Sequence, residues 1–227
     1  MIDLRCCSAD DLLLTLDEGS VDAVIADPPW SFASGKSGGS LSSAAGDLYS
    51  TLNMGEIAAT LADCFAVARR AAYLAVWSLW PLLDEWAPHG GAMSWRYVSG
   101  AVWGKTGGAP DMSYHFRGDS EPLLLYRKGN PRPLEGSKSN LWLHPRLDHS
   151  EKPPNALEAL VRMSCPEGGT VLDPYAGESA SLAKVCRRLG RNYIGAELKG
   201  DDGLVFVALD LKRTTSRRAC LPPPWRR

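Results

Sequence analysis

Asp27-Pro28-Pro29-Trp30 directly follows the apolar run Val21-Asp22-Ala23-Val24-Ile25-Ala26. This pattern predicts a strand that leaves its sheet through a carboxylate, two prolines and an aromatic. Pro28 and Pro29 fix φ and carry no N–H, so the turn is stiff and its carbonyls are left to accept from a ligand. Asp27 adds a side-chain acceptor, and Trp30 a flat face for stacking. Together these groups suit gripping the exocyclic amino group of a planar base. An inert proline turn after a strand would carry the same four residues, so the rest of the chain must separate the two readings.

A second chemistry-bearing stretch lies late in the chain, at Thr170-Val171-Leu172-Asp173-Pro174-Tyr175-Ala176-Gly177. It reads as a short buried strand and a tight loop that opens a helix from Ser179 to Leu189. Gly177 can adopt a backbone shape that lets a ligand approach closely. The run Asn192-Tyr193-Ile194-Gly195-Ala196 then predicts a second strand, ending in Glu197. An acidic residue at that tip of a βαβ unit commonly accepts from ribose hydroxyls. The full G-x-G-x-x-G pattern is absent, which points to a nucleoside-bearing cofactor without a critical pyrophosphate. Gly35-Lys36-Ser37 is no phosphate loop either, because Trp30 stands where the first glycine would be needed.

With both stretches in view, the chain resembles the S-adenosylmethionine-dependent amino-group DNA methyltransferases, of the permuted kind whose catalytic motif precedes the cofactor motif. Its middle is also similar to the family of the mRNA N6-adenosine methyltransferase catalytic subunit. The stretches that carry this are Leu48-Tyr49-Ser50-Thr51-Leu52, Val102-Trp103-Gly104-Lys105, Glu121-Pro122-Leu123-Leu124-Leu125 and His149-Ser150-Glu151-Lys152-Pro153. They occur in the family's order, and the resemblance covers roughly residues 5 to 198. It implies catalytic roles for Asp27, Pro28, Pro29 and Trp30, and methyl transfer to adenine N6 in DNA. It implies a cofactor site built from Asp27, Lys152, Pro153, Asp173, Pro174, Tyr175, Ala176, Gly177 and Glu197, with no metal. Cytosine N4, adenosine N6 in RNA, and a non-catalytic nucleic-acid-binding subunit are the alternatives. Two departures bear on affinity: Glu178 replaces the family's usual serine, and Ser8 stands where many relatives place an Asp.

The elements that must hold these residues are those of a doubly wound, Rossmann-like α/β sheet. A first strand is expected near Leu4 to Cys7, strand-like runs at 71–79, 94–103 and 121–127, and a helix over Met54 to Arg70 capped by Asn53. The apolar stretch Tyr73 to Leu83 is too short to cross a bilayer, which takes ~20 residues, and reads as a buried central strand. Residues 31–50 are rich in Gly, Ser and Ala and predict a mobile loop over the site. The interval 104–150 reads as a short target-recognition insert. A methyltransferase domain over 1–200 with a basic extension over 201–227 follows.

Composition bounds the rest. A chain of 227 residues, 44% hydrophobic and 22% charged, suits one soluble domain. Six cysteines without a C-x-x-C spacing read as reduced thiols, and no signal peptide is evident, so a cytoplasmic protein is expected. The net charge is −1, yet Leu204 to Arg227 holds six basic residues against Asp210 alone. Arg127, Lys128, Arg132, Lys138 and Arg146 form a weaker basic region. Such patches can neutralise phosphates, as DNA or RNA would require, and solvated basic tails have the same composition. The oligomeric state is left open, a homodimer included.

Overall fold

The computed structural model describes residues 1–30, 51–86, 93–107, 118–136, 139–145, 151–177 and 179–198. The 31–50 loop, Glu178, His149 and the 201–227 extension therefore lie outside the described residues, as do parts of the 104–150 insert. In chain order the elements are β1 (Ile2–Cys6), α1 (Ala9–Leu13), β2 (Val21–Ala26), α2 (Met54–Val67), β3 (Ala68–Trp77), β4 (Arg96–Thr106), β5 (Ser120–Lys128), β6 (Leu141–Pro145), α3 (Pro154–Ser164), β7 (Thr170–Asp173), α4 (Ser181–Arg188) and β8 (Asn192–Glu197).

The strands form one eight-stranded sheet in the order β1-β8-β7-β2-β3-β5-β4-β6. The neighbours from β1 through to β3 all pair in parallel, and β5 runs antiparallel between β3 and β4. All six residues of β2 are buried, which is what a central parallel strand covered on both faces requires. One face packs α1 and α2 through Leu12, Ile57, Leu61 and Leu74. The other packs α3 and α4 through Leu157, Val161, Leu182 and Tyr193.

The helix over 54–67 follows its sequence signals closely. Asn53 Oδ1 accepts from the Glu56 N–H at 3.0 Å, and Glu56 Oε2 accepts from the Asn53 N–H at 2.8 Å, a reciprocal cap. At its other end the Lys128 ammonium donates to the Phe65 and Ala68 carbonyls at 2.6 and 2.7 Å, pinning the helix terminus to β5. The buried Asp22 inside β2 accepts from the Thr170 N–H at 2.8 Å and pairs with Arg69 at 2.5 Å. A carboxylate inside a buried strand is thus satisfied, and it stitches β2 to β7 at the edge opposite the site.

One expectation is corrected. The run Tyr73 to Leu83 is a strand only to Trp77, because Pro81 cannot donate to a ladder and the chain turns through a 3-10 segment at Trp80–Leu82. Within the 104–150 interval, β5 covers the strand-like run expected at 121–127, and β6 adds the outer edge strand beside β4. Among the described residues, no helix is long and apolar enough to cross a membrane.

Candidate active site

The order of strands reverses between β2 and β7. From β7 the chain crosses through α4 to β8 on one side, and from β2 through α2 to β3 on the other. Ligands of open α/β sheets bind at the carboxyl ends of strands flanking such a reversal. Ala23 pairs with Val171 and Val24 with Leu172, so Asp27 and Asp173 stand at the tips of the two flanking strands. Glu197 ends β8, the next strand along. The two stretches singled out in the sequence, far apart in the chain, therefore meet at one edge.

Asp27 is half-buried, and its Oδ2 accepts from the Lys152 ammonium at 2.6 Å. Burial raises its carboxyl above the ordinary aspartate value, and Lys152 works against that rise. The Pro29 carbonyl is not open to a ligand as the sequence suggests: it accepts from the Leu52 N–H at 2.8 Å, where Trp30 and Leu52 form an isolated bridge. Trp30 is half-buried and meets Trp86 edge-on, with ring centroids 5.6 Å apart. Trp86 is itself fixed by its indole N–H on Ser78 Oγ at 3.0 Å, so one side of Trp30 rests on an immobile neighbour.

The loop after β7 is clasped to β8. The Ala176 N–H donates to the Ala196 carbonyl at 2.9 Å, and the Gly177 N–H to Glu197 Oε2 at 2.7 Å. Gly177 has φ +65°, and a Cβ there would meet nothing within 4 Å. Glycine is required by backbone shape, and the space beside it is open. Ala180 also takes a left-handed conformation, φ +44°, at the start of α4, a cost of about 1–2 kcal/mol for a residue with a Cβ. Such strain in a loop over a crevice is where ligand-holding turns are found. An acidic strand tip, an open glycine turn and the Lys152 cation together fit a nucleoside-bearing cofactor such as S-adenosylmethionine.

Asp173 is buried, its Oδ2 accepting from the Tyr193 hydroxyl at 3.0 Å and its Oδ1 from the Tyr175 N–H at 3.2 Å. Burial outweighs these bonds, and its pKa is pushed up to about 7. The folded state therefore binds a proton between roughly pH 4 and 7 that the unfolded chain has lost, so this group's contribution to stability falls as pH rises through that window. The slope reaches at most about 1.4 kcal/mol per pH unit. Asp173→Asn should flatten it: urea unfolding at pH 5 and pH 8 should differ less in the variant. Equal pH dependence in both proteins would refute the assignment.

Of the remaining sequence candidates, Pro28 and Pro174 are buried in the strand-tip turns and Pro153 immediately precedes α3. Ser8 is engaged locally: its hydroxyl accepts from the Asp11 N–H at 3.0 Å and caps α1. Two residues were not singled out as site residues by sequence reasoning. Glu121, at the start of β5, lies with Oε2 3.4 Å from the Lys152 ammonium, and Lys105, at the end of β4, pairs with its Oε1 at 2.5 Å. Both sit inside stretches that carry the family resemblance, but nothing local marks them as partners of Asp27.

The comparisons with known proteins point the same way. Residues 133–201, under a third of the chain, match the N6_N4_Mtase family model, described as DNA methylase. DNA adenine methyltransferase YhdJ of Escherichia coli K12 is 30% identical over 107 residues, covering 42% of this chain and 35% of that protein. The chain thus spans about a third of the length of this curated relative. The M1.HpyAVI–SAM complex superposes with a TM-score of 0.68 at 17% identity, covering 88% of this chain and 94% of that one. PvuII DNA methyltransferase, which is cytosine-N4-specific, gives 0.72 at 14% identity over 95% and 88%. The fold is that of the S-adenosylmethionine-dependent DNA methyltransferases.

Proposed function

We propose that this chain, a methyltransferase sheet with a DNA methylase segment, moves a methyl group from S-adenosylmethionine to the exocyclic N6 amino group of adenine in DNA. The observation that carries the reading is the meeting of Asp27-Pro28-Pro29-Trp30 with Asp173, Gly177 and Glu197 at one strand-order reversal. The 30% identity to an adenine enzyme of DNA favours adenine as the base.

S-adenosylmethionine, when bound, supplies a methyl group activated by the adjoining sulfonium. Asp173 and Gly177 would shape its pocket, Glu197 would accept from the ribose hydroxyls, and Lys152 with Pro153 would border the other side. A target base leaves its stack, as enzymes acting on bases within duplexes require, and lies against Trp30. Asp27 and the Pro28 carbonyl would accept the amino hydrogens, drawing the nitrogen lone pair out of conjugation with the ring; as the N–C bond forms, the S–CH3 bond breaks with its electron pair kept by sulfur, and the surplus nitrogen proton leaves to water. Little covalent chemistry falls to the protein. Orientation and local electrostatics make up most of its contribution.

The test is to incubate the purified protein with S-adenosylmethionine and unmethylated genomic DNA beside an RNA control, then digest to nucleosides for mass spectrometry. N6-methyladenine in DNA is expected. N4-methylcytosine would keep the site chemistry and change the base. Methylated adenosine in RNA alone would support the motif similarity to the mRNA enzymes instead. A folded protein that methylates nothing would overturn the assignment in favour of a non-catalytic subunit.

A further inference from the structure

Four charged groups from four elements form an unbroken chain that ends at the catalytic carboxylate. Lys105 lies near the end of β4, Glu121 near the start of β5, Lys152 just before α3, and Asp27 directly after β2. Successive contacts are 2.5 Å from Lys105 to Glu121, 3.4 Å from Glu121 to Lys152 and 2.6 Å from Lys152 to Asp27. The side chains of Lys105, Glu121 and Lys152 are only 13%, 17% and 14% exposed. The Lys152 ammonium also lies 5.7 Å from the centroid of the Trp77 ring, which gives it a third fixed neighbour. Partly buried charges are a poor way to stabilise a sheet end, since apolar residues of similar volume do as well or better. Their alignment onto Asp27 calls for another explanation.

We propose that Glu121 is a positioning residue that shares the Lys152 ammonium with Asp27, limits how tightly Lys152 holds that carboxylate, and so sets its basicity and orientation. The inference rests on the role given to Asp27 above. Without Glu121, Asp27 would be the sole anionic partner of Lys152 among the described residues. A carboxylate bound that closely is a poorer acceptor for an amino hydrogen. With Glu121 in place, the Lys152 charge is divided, and Lys105 in turn keeps Glu121 ionised. Burial would lift the Glu121 carboxyl, but Lys152 and Lys105 together bring it below the ordinary glutamate value. The groups facing Asp27 are thus Lys152, Glu121 and Lys105, with Asp173 beside it at the tip of β7.

This arrangement has a signature that structural damage would not reproduce. Glu121→Gln removes a negative charge near Asp27, so the Asp27 midpoint should fall, by about one pH unit. Lys105→Gln removes a positive charge, so the midpoint should rise. The experiment is a carbon-13 NMR titration of side-chain carboxyls in the full chain, with Asp27 assigned by the loss of its resonance in Asp27→Asn. The acid limb of the methyl-transfer profile should move the same two ways. An unmoved midpoint in Glu121→Gln, or shifts of the same sign in both variants, would overturn the proposal. If Glu121→Gln does not fold, the upward shift in Lys105→Gln still decides it, and Glu121→Asp, which retains the charge, should restore the wild-type midpoint. Opposite shifts in a protein that transfers no methyl group would uphold the electrostatic link and overturn the function proposed above.

Discussion

Asp27→Asn should lower methyl transfer by about 10³-fold while the protein stays folded and keeps most of its cofactor affinity. Asparagine preserves the shape of the side chain and one acceptor oxygen, so the turn through Pro28 and Pro29 has no reason to move. What it loses is the negative charge toward which the amino hydrogens are drawn, and that charge matters most as the attacking nitrogen becomes positive. The neighbouring cation is not stranded, because Lys152 retains Glu121 at 3.4 Å. Single-turnover rates, S-adenosylmethionine binding by calorimetry and a thermal melt separate the three quantities. A variant that transfers methyl groups within a few-fold of wild type would remove Asp27 from the mechanism. A loss of cofactor binding as large as the loss of rate would leave Asp27 a cofactor-binding role alone.

The place of Asp27 at a strand tip was readable in the sequence because its neighbours are so constrained. An all-apolar strand, two residues with fixed φ and an aromatic leave few alternatives for what stands between them. Gly177 and Glu197 were readable for similar reasons, as a turn glycine and an acidic strand tip within one local βαβ unit. The cap at Asn53 is local too, and α2 ends at Val67, three residues before the Arg70 that periodicity suggested. Contacts between distant segments carried no such mark. Lys152 meets Asp27 across 125 residues, and no pattern around either predicts the pairing. The helix over Pro154–Ser164 has no side-chain cap, and its local marks are only Pro154 in the first turn and the helical spacing of Ala156, Leu157, Leu160 and Val161. Edge strand β6 alternates weakly, with Leu141 and Leu143 exposed, so its segment read as part of an irregular insert.

The order of the two motifs came with the family resemblance, but the adjacency of their strands carried no local mark. β2 precedes β7 by most of the length of the chain, and only sheet pairing sets them side by side. The Thr170 N–H bond to Asp22 shows how that pairing is enforced at the far end of the same two strands, and Asp22 is held in place by Arg69 of β3. A charged residue in a six-residue buried run looks like a flaw in the apolar pattern. In the fold it is a fastening between β2 and β7, and the register it fixes carries through to Asp27 and Asp173.

The same logic makes Gly195 a sensitive position, and Gly195→Ala should destabilise the protein by about 3 kcal/mol or more. Gly195 pairs with Asp173 across β7 and β8, and Tyr193 sits two residues earlier on the same face. The Tyr193 ring lies along the strand over Gly195, and a Cβ there would clash with its Oη, Cζ and Cε1 atoms. The ring has no easy retreat, being fully buried and bonded through its hydroxyl to Asp173 at 3.0 Å. Overpacking of this kind costs about 1–3 kcal/mol, and a lost hydrogen bond to a buried carboxyl group adds about 1–3 more. With Asp173 in the proposed cofactor pocket beside Gly177, cofactor affinity should fall together with stability. The double variant Gly195→Ala, Tyr193→Phe removes the hydroxyl that sits closest to the new methyl group, so part of the lost stability should return. Denaturant unfolding of the two single variants and the double forms a mutant cycle with a measurable coupling. Strict additivity, or a Gly195→Ala protein within about 0.5 kcal/mol of wild type, would mean that the glycine is not there to seat the tyrosine.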